Sequence, residues 1–180
     1  MRGTLWLTLG LIVTVAWGCH EDGDAPANVL KFDTVTTELS TGVLSVRKTA
    51  DGGDYYHVVL YLYGPKWDGS SSSRHHLYLW FTSATPDLAE GNHTIISPKE
   101  LNGPFTAGLA LPGQIMRGLS QNVDAGTAQY QTYTILKGNI QINKIGNVYS
   151  IQFSGESVSN EGYLPTYLSY TGKLSYDVIH

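Results

Sequence analysis

Cysteine occurs once in the 180 residues, at position 19, which excludes a disulfide framework and any metal site built from several thiolates. Charge is sparse as well. Asp, Glu, Lys and Arg make up 14% of the chain, against about 25% in an average soluble domain. The 11 basic residues are outnumbered by 15 acidic ones, so the basic face that displaces phosphate counterions is missing and nucleic acid is excluded as a partner. No Gly-x-Ser-x-Gly elbow, His-Glu-x-x-His pair or Walker loop occurs. The acids gather in turns and termini (Asp51, Asp54, Asp68, Glu90, Asp124, Glu161), not as the paired carboxylates of a glycosidase. Histidines have no metal-ligand spacing: His75 and His76 alternate across a strand, and His57 and His76 share a face with no third ligand at a defined position. These absences predict a protein that is not an enzyme and holds neither metal nor cofactor. Sustained 3.6-residue periodicity and fixed-period repeats are also missing, which excludes a helical bundle and a solenoid. What is abundant is Gly (20) and Tyr (12), with 42% hydrophobic residues, enough for a core.

The N-terminus predicts an address. Arg2 precedes an apolar run, Leu5 to Gly18, interrupted only by Thr8 and Thr14. That run falls short of the ~20 residues needed to span a bilayer and has the build of a secretory signal. Ala16-Trp17-Gly18-Cys19 resembles the lipobox of bacterial lipoproteins, with Trp17 where a small residue is usual. The resemblance implies a signal peptide over residues 1–18 and a lipid on Cys19, which makes the membrane a partner. His20 to Ala27 is acidic and contains Gly and Pro, so residues 19–28 read as a solvated tether. The acids at its start resemble the signal that sends Bacteroidetes lipoproteins to the outer face of the outer membrane. Removing Arg2 and the three tether acids leaves 10 basic and 12 acidic residues, a nearly neutral body.

Residues 29–180 read as one all-β domain. Short alternating segments rich in Val, Ile, Tyr and Thr are separated by Gly, Asn, Asp and Pro. The pattern predicts strands at Val29–Leu39, Val43–Thr49, Tyr55–Tyr63, His75–Ser83 and Gly91–Ile96. A long hairpin follows, Tyr130–Lys144 with Asn147–Glu156, and closing strands flank Asn160-Glu161-Gly162 and run to Val178. Asp51-Gly52-Gly53-Asp54 supplies a tight turn. Residues 98–126 read as irregular, either a long functional loop or a stretch that conceals an irregular strand around Phe105–Leu111. Roughly eight to ten strands predict an antiparallel β-sandwich or a calycin-like barrel.

The C-terminal half, Gly138-Asn-Ile140-Gln-Ile142-Asn-Lys144-Ile-Gly146-Asn-Val-Tyr149-Ser-Ile151-Gln-Phe153 with Tyr170-Thr-Gly172-Lys-Leu174, resembles small Bacteroidetes outer-membrane and surface lipoproteins. Asp87 to Thr94 resembles a further segment of that family, with His93 in place of its tyrosine. The resemblance spans about half the chain and implies lineage and location; members of the family are mostly uncharacterised, so it implies no particular activity. Asp33-Thr34-Val35 matches the O-glycosylation pattern of that phylum, which makes Thr34 a candidate acceptor.

Strand parity points to a binding face. Val58, Leu60 and Leu62 share one face of their strand, as do Leu77, Leu79 and Phe81 of the next. If these face the core, Tyr61, Tyr63, Tyr78 and Trp80 share the outer face. In the C-terminal hairpin Ile140, Ile142, Tyr149, Ile151 and Phe153 point in, while Asn139, Gln141, Asn143, Ser150, Gln152 and Ser154 point out. Aromatic rings beside amides suit a sugar, whose C–H groups lie on rings and whose hydroxyls pair with amides. Trp67 and Asp68, in the Ser-rich loop, are a further candidate contact. Three readings follow: a surface module binding extracellular glycan or protein, a barrel carrying a small apolar ligand among inward tyrosines, or a structural subunit of an envelope complex.

Overall fold

The computed structural model describes residues 28–49, 54–65, 75–101, 103–120 and 129–178. Cys19, the tether, Trp67, Asp68 and the Asp51–Gly53 turn lie outside the described residues. Ten strands follow in order: β1 (Val29–Phe32), β2 (Val35–Glu38), β3 (Thr41–Lys48), β4 (Tyr56–Tyr63), β5 (His75–Ser83), β6 (Gly91–Thr94), β7 (Ala110–Ser120), β8 (Gln129–Ile145), β9 (Val148–Ser159) and β10 (Gly162–Val178). The fold is all-β, as the punctuated alternation predicts, and among the described residues the only helical turn is a 3₁₀ turn at Pro98–Glu100.

The hydrogen-bond ladder returns on itself and partly closes a barrel. β3, β4, β5, β7, β8, β9 and β10 pair in that order, and β10 pairs back to β3 through Leu174↔Gly42 to Val178↔Val46. The six pairings before closure are antiparallel, so β10 runs in the direction of β3 and the closing pair is parallel. A circuit with an odd number of strands requires this. β1 lies beside the first half of β10, with β2 on its outer side, and β6 lies beside β8.

Alternating side chains fill the interior. Leu44 and Val46 of β3, Val58, Leu60 and Leu62 of β4, and Leu77, Leu79 and Phe81 of β5 are buried in one cluster with Ile140, Ile142, Tyr149, Ile151 and Phe153. Phe32 of β1 enters the same core, its ring 5.2 Å from that of Tyr133 and perpendicular to it. The inward parity of β8 changes from odd (Tyr133, Ile135) to even (Ile140, Ile142) across a bulge between Ile135 and Lys137. Gly138 serves that bulge with φ +152°, and a Cβ there would stand 2.4 Å from the Phe153 ring.

Two expected elements differ. The single strand Val29–Leu39 is a hairpin, β1 and β2, reversed at Asp33-Thr34 with Asp33 at φ +52°. Asp is among the few residues that tolerate that region without being glycine, and here Arg117 Nη1 donates to its Oδ2 at 3.1 Å. The irregular stretch contains a full strand at Ala110–Ser120 instead of Phe105–Leu111. Pro112, Gly113 and Gly118 interrupt its alternation, yet Ala110 and Ile115 reach the core and the strand bridges β5 to β8.

Candidate ligand-binding face

Because β4 and β5 bury their aliphatic residues, their alternate residues emerge together on the outside. The β4–β5 register sets Tyr61 opposite Tyr78, Tyr63 opposite His76 and Val59 opposite Trp80. The rings touch in sequence. Trp80 lies 5.8 Å from Tyr78, Tyr78 lies 5.9 Å from Tyr61, and Tyr61 stacks on Tyr63 at 6.2 Å with 8° between planes. Tyr63 continues to His76 at 5.8 Å and His76 to Tyr130 at 5.2 Å. The outer face of β4–β5 thus carries a continuous aromatic stripe that ends at Tyr130 of β8. Tyr61, Tyr63 and Tyr78 are half-buried in it, while Trp80 at its end is 46% exposed. These four side chains lie outside the barrel, and the inward side of their strands carries Val58, Leu60, Leu62, Leu77, Leu79 and Phe81, with no tyrosine.

Polar partners fix the middle of the stripe. The Tyr78 hydroxyl donates to Gln114 Oε1 on β7. Burial, with Tyr61 alongside, raises the pKa of Tyr78 and of Tyr63, so both hydroxyls keep their protons. His76 Nε2 lies 3.0 Å from Met116 Sδ. A thioether only accepts, so Nε2 carries the hydrogen, and the buried Nδ1 has no hydrogen-bond partner among the described residues. Burial lowers the His76 pKa, which favours that neutral ring.

At the Trp80 end the stripe opens into a groove of about 560 Å³, in the range of ligand sites. Val59, Trp80 and Leu111 stand side by side across β4, β5 and β7 and line it with Tyr61, Phe105 and Pro112, and Ser45, Arg47 and His57 line its β3–β4 end. Phe105 arrives from the segment before β7, which Thr82 binds to β5. Thr82 Oγ1 donates to Thr106 O at 2.5 Å, and Gly108 N donates to Thr82 O at 2.7 Å. Residues 103–109 therefore fold over the sheet and complete the groove.

Sequence parity anticipates the positions of Tyr61, Tyr63, Tyr78 and Trp80 on one outer face. It puts His57 on that face too, without making it a site residue, and it misses Arg47 and Phe105. Parity on β3 puts Val43, Ser45 and Arg47 outward, and the register pairs Arg47 with His57, so those two become legible once the hairpin is aligned. Phe105 carries no periodic signal. The amide ladder points outward as its parity implies, but on another outer face: Asn139↔Ser154, Gln141↔Gln152 and Asn143↔Ser150 lie beyond the β8 bulge, beside β6 and β9, and do not adjoin the rings. The amide that the fold brings to the rings is Gln114. Register also separates His57, opposite Thr82, from His76, opposite Tyr63, by six residues of strand, about 20 Å. Among the described residues no group of three His, Cys, Asp or Glu converges. Thr34 is exposed in the β1–β2 turn.

A second polar cluster sits on another part of the surface. Asp87 accepts from Lys144 Nζ and the Tyr149 hydroxyl, from Leu88 N at 2.7 Å and from the Tyr176 hydroxyl at 3.2 Å. Partial burial opposes the charge on Asp87, but the Lys144 and Tyr149 hydrogen bonds outweigh it and its pKa is lowered. Burial, then the bond to Asp87, raises that of Tyr149. All four side chains of the cluster are spent on one another, which ties the β5–β6 connection to β8, β9 and β10.

Comparison with protein-family models, with curated protein sequences and with solved structures finds no match to this chain.

Proposed function

We propose that this protein is a lipid-anchored protein of the outer membrane, facing outside the cell, that binds extracellular glycan without catalysis. The observation that carries this reading is Trp80, a large ring left 46% exposed at the mouth of a groove whose other walls are aromatic and aliphatic. Isolated exposed rings are common, but a contiguous ring surface around a concave site marks recognition. Stacked rings offer faces to sugar C–H groups, and the Tyr hydroxyls, Gln114 and Ser45 stand at the edges to meet sugar hydroxyls. The Ala16–Cys19 segment supports the anchor.

Affinity electrophoresis of the full chain through gels containing a panel of polysaccharides tests the binding. Retardation by at least one polysaccharide, abolished by Trp80→Ala, supports the reading; retardation unchanged in that variant, or none at all, refutes it. Labelling producing cells with a palmitate analogue tests the anchor: label should appear on the chain and disappear in Cys19→Ser.

A further inference from the structure

The groove has a charged end with no charge to meet it. Arg47 and His57 face each other across the β3–β4 ladder, both exposed, and both line the β3–β4 end of the groove. No Asp or Glu among the described residues lines the groove. Among the described residues, Arg117, Lys137 and Lys144 are each paired with an acid (Asp33, Glu156 and Asp87), whereas Arg47, like Lys31, Lys48, Lys99 and Lys173, forms no ion pair, and of these only Arg47 lines the groove. A body this poor in charge leaves a guanidinium unpaired beside Trp80 and Tyr61. A guanidinium forms two parallel hydrogen bonds to a carboxylate, a geometry that a neutral hydroxyl cannot match.

We propose that the groove selects an acidic saccharide, with the carboxylate of one uronic acid unit on Arg47 and its ring on the aromatic wall formed by Trp80 and Phe105. This deepens the glycan reading and rests on it. His57 adds a ring N–H to the same carboxylate or to a neighbouring hydroxyl. The occupant is a sugar and not a fatty acid because the groove is open at the surface, where a hydrocarbon chain would stay in contact with water, and Ser45, His57 and Tyr61 line it beside Arg47.

Isothermal titration of the full chain in mild detergent, with hexagalacturonate, hexamannuronate and the neutral methyl ester of each, tests this. At least one acid should bind about tenfold tighter than its ester, the effect of one charge-assisted hydrogen bond pair. Arg47→Gln should reduce that ratio to near one by weakening the acid far more than the ester, and Trp80→Ala should weaken acid and ester alike. Equal binding of acid and ester, or a preference that survives Arg47→Gln, overturns the charge inference and leaves glycan binding standing. No binding of any of the four oligomers to the wild-type chain, while a neutral polysaccharide retards it in gels, also overturns the charge inference alone. Failure of every sugar in both assays overturns both.

Discussion

Thr82 and Leu109 hold each other by two hydrogen bonds, Thr82 N to Leu109 O at 2.9 Å and Leu109 N to Thr82 Oγ1 at 2.9 Å. The pair sits where the last turn of β5 meets the segment that carries Phe105, so one side chain on a rigid strand sets the height of the groove wall.

Thr82→Val keeps the shape of the side chain and removes both of its hydrogen-bonding roles. Leu109 N and Thr106 O then lose a partner in a partly buried setting, at a cost of about 0.5–1.5 kcal/mol. Amide exchange at Leu109 should accelerate, while amides in the β3–β4 ladder stay as protected as in the wild type. Unchanged exchange at Leu109 would show that the segment is held by something other than this hydroxyl.

Trp80 and Tyr133 make a contrast in aromatic truncation. Trp80→Ala removes a ring from the outer face and should change unfolding free energy by no more than about 1 kcal/mol. Tyr133 is fully buried against Phe32, and Tyr133→Ala should cost about 3–5 kcal/mol. Urea unfolding of both variants checks the pair. Similar losses for the two would mean that Trp80 is covered.

Gly113 is where β7 passes closest to β5. A Cβ there would stand 2.1 Å from the Tyr78 carbonyl oxygen, a backbone atom that cannot rotate away. Gly113→Ala should therefore push β7 outward and lower stability by at least about 1–3 kcal/mol, the usual cost of overpacking. Because Leu111 and Pro112 line the groove just ahead of it, sugar binding should weaken as well. A wild-type denaturation midpoint in this variant would contradict the close approach.

Asp87 links stability to pH. Its folded pKa lies below the ordinary value of 3.8, so its stabilisation is complete above that value and is lost as pH falls through the folded pKa. Lys144 has a raised pKa, so its share is present below 10.5 and is lost as pH rises beyond it. Asp87→Asn should cost about 1.5–3 kcal/mol at neutral pH, the value of hydrogen bonds to a charged group. The gap between variant and wild type should narrow below pH ~3.8. Thermal melts across that range measure it, and a constant gap would remove Asp87 from the acid response.

Much of the β-structure was legible in the chain. The strand His75–Ser83 has the bounds that its alternation implies, and Tyr55–Tyr63 differs by one residue. Both carry strict two-residue periodicity between polar breaks, and that periodicity survives into the fold because one face packs on a core. The β1–β2 turn was not legible, because Asp33-Thr34 offers neither Gly nor Pro and depends on Arg117, far along the chain. β7 was hidden because proline and glycine break its pattern, and they are tolerated there by the bulges at its two ladders.

By itself the sequence determined the all-β character, the inward set of aliphatic residues and the sharing of one face by Tyr61, Tyr63, Tyr78 and Trp80. Those properties follow from a local period that each strand carries on its own. Only the tertiary structure decided that the ladder partly closes, through a parallel pairing of Leu174–Val178 with Gly42–Val46, since no local pattern encodes which distant strand an edge will meet. The same holds for the groove. Phe105, Arg47 and Trp80 belong to separate parts of the chain and become one site because Thr82 and the β3–β4–β5 register bring them to the same outer face.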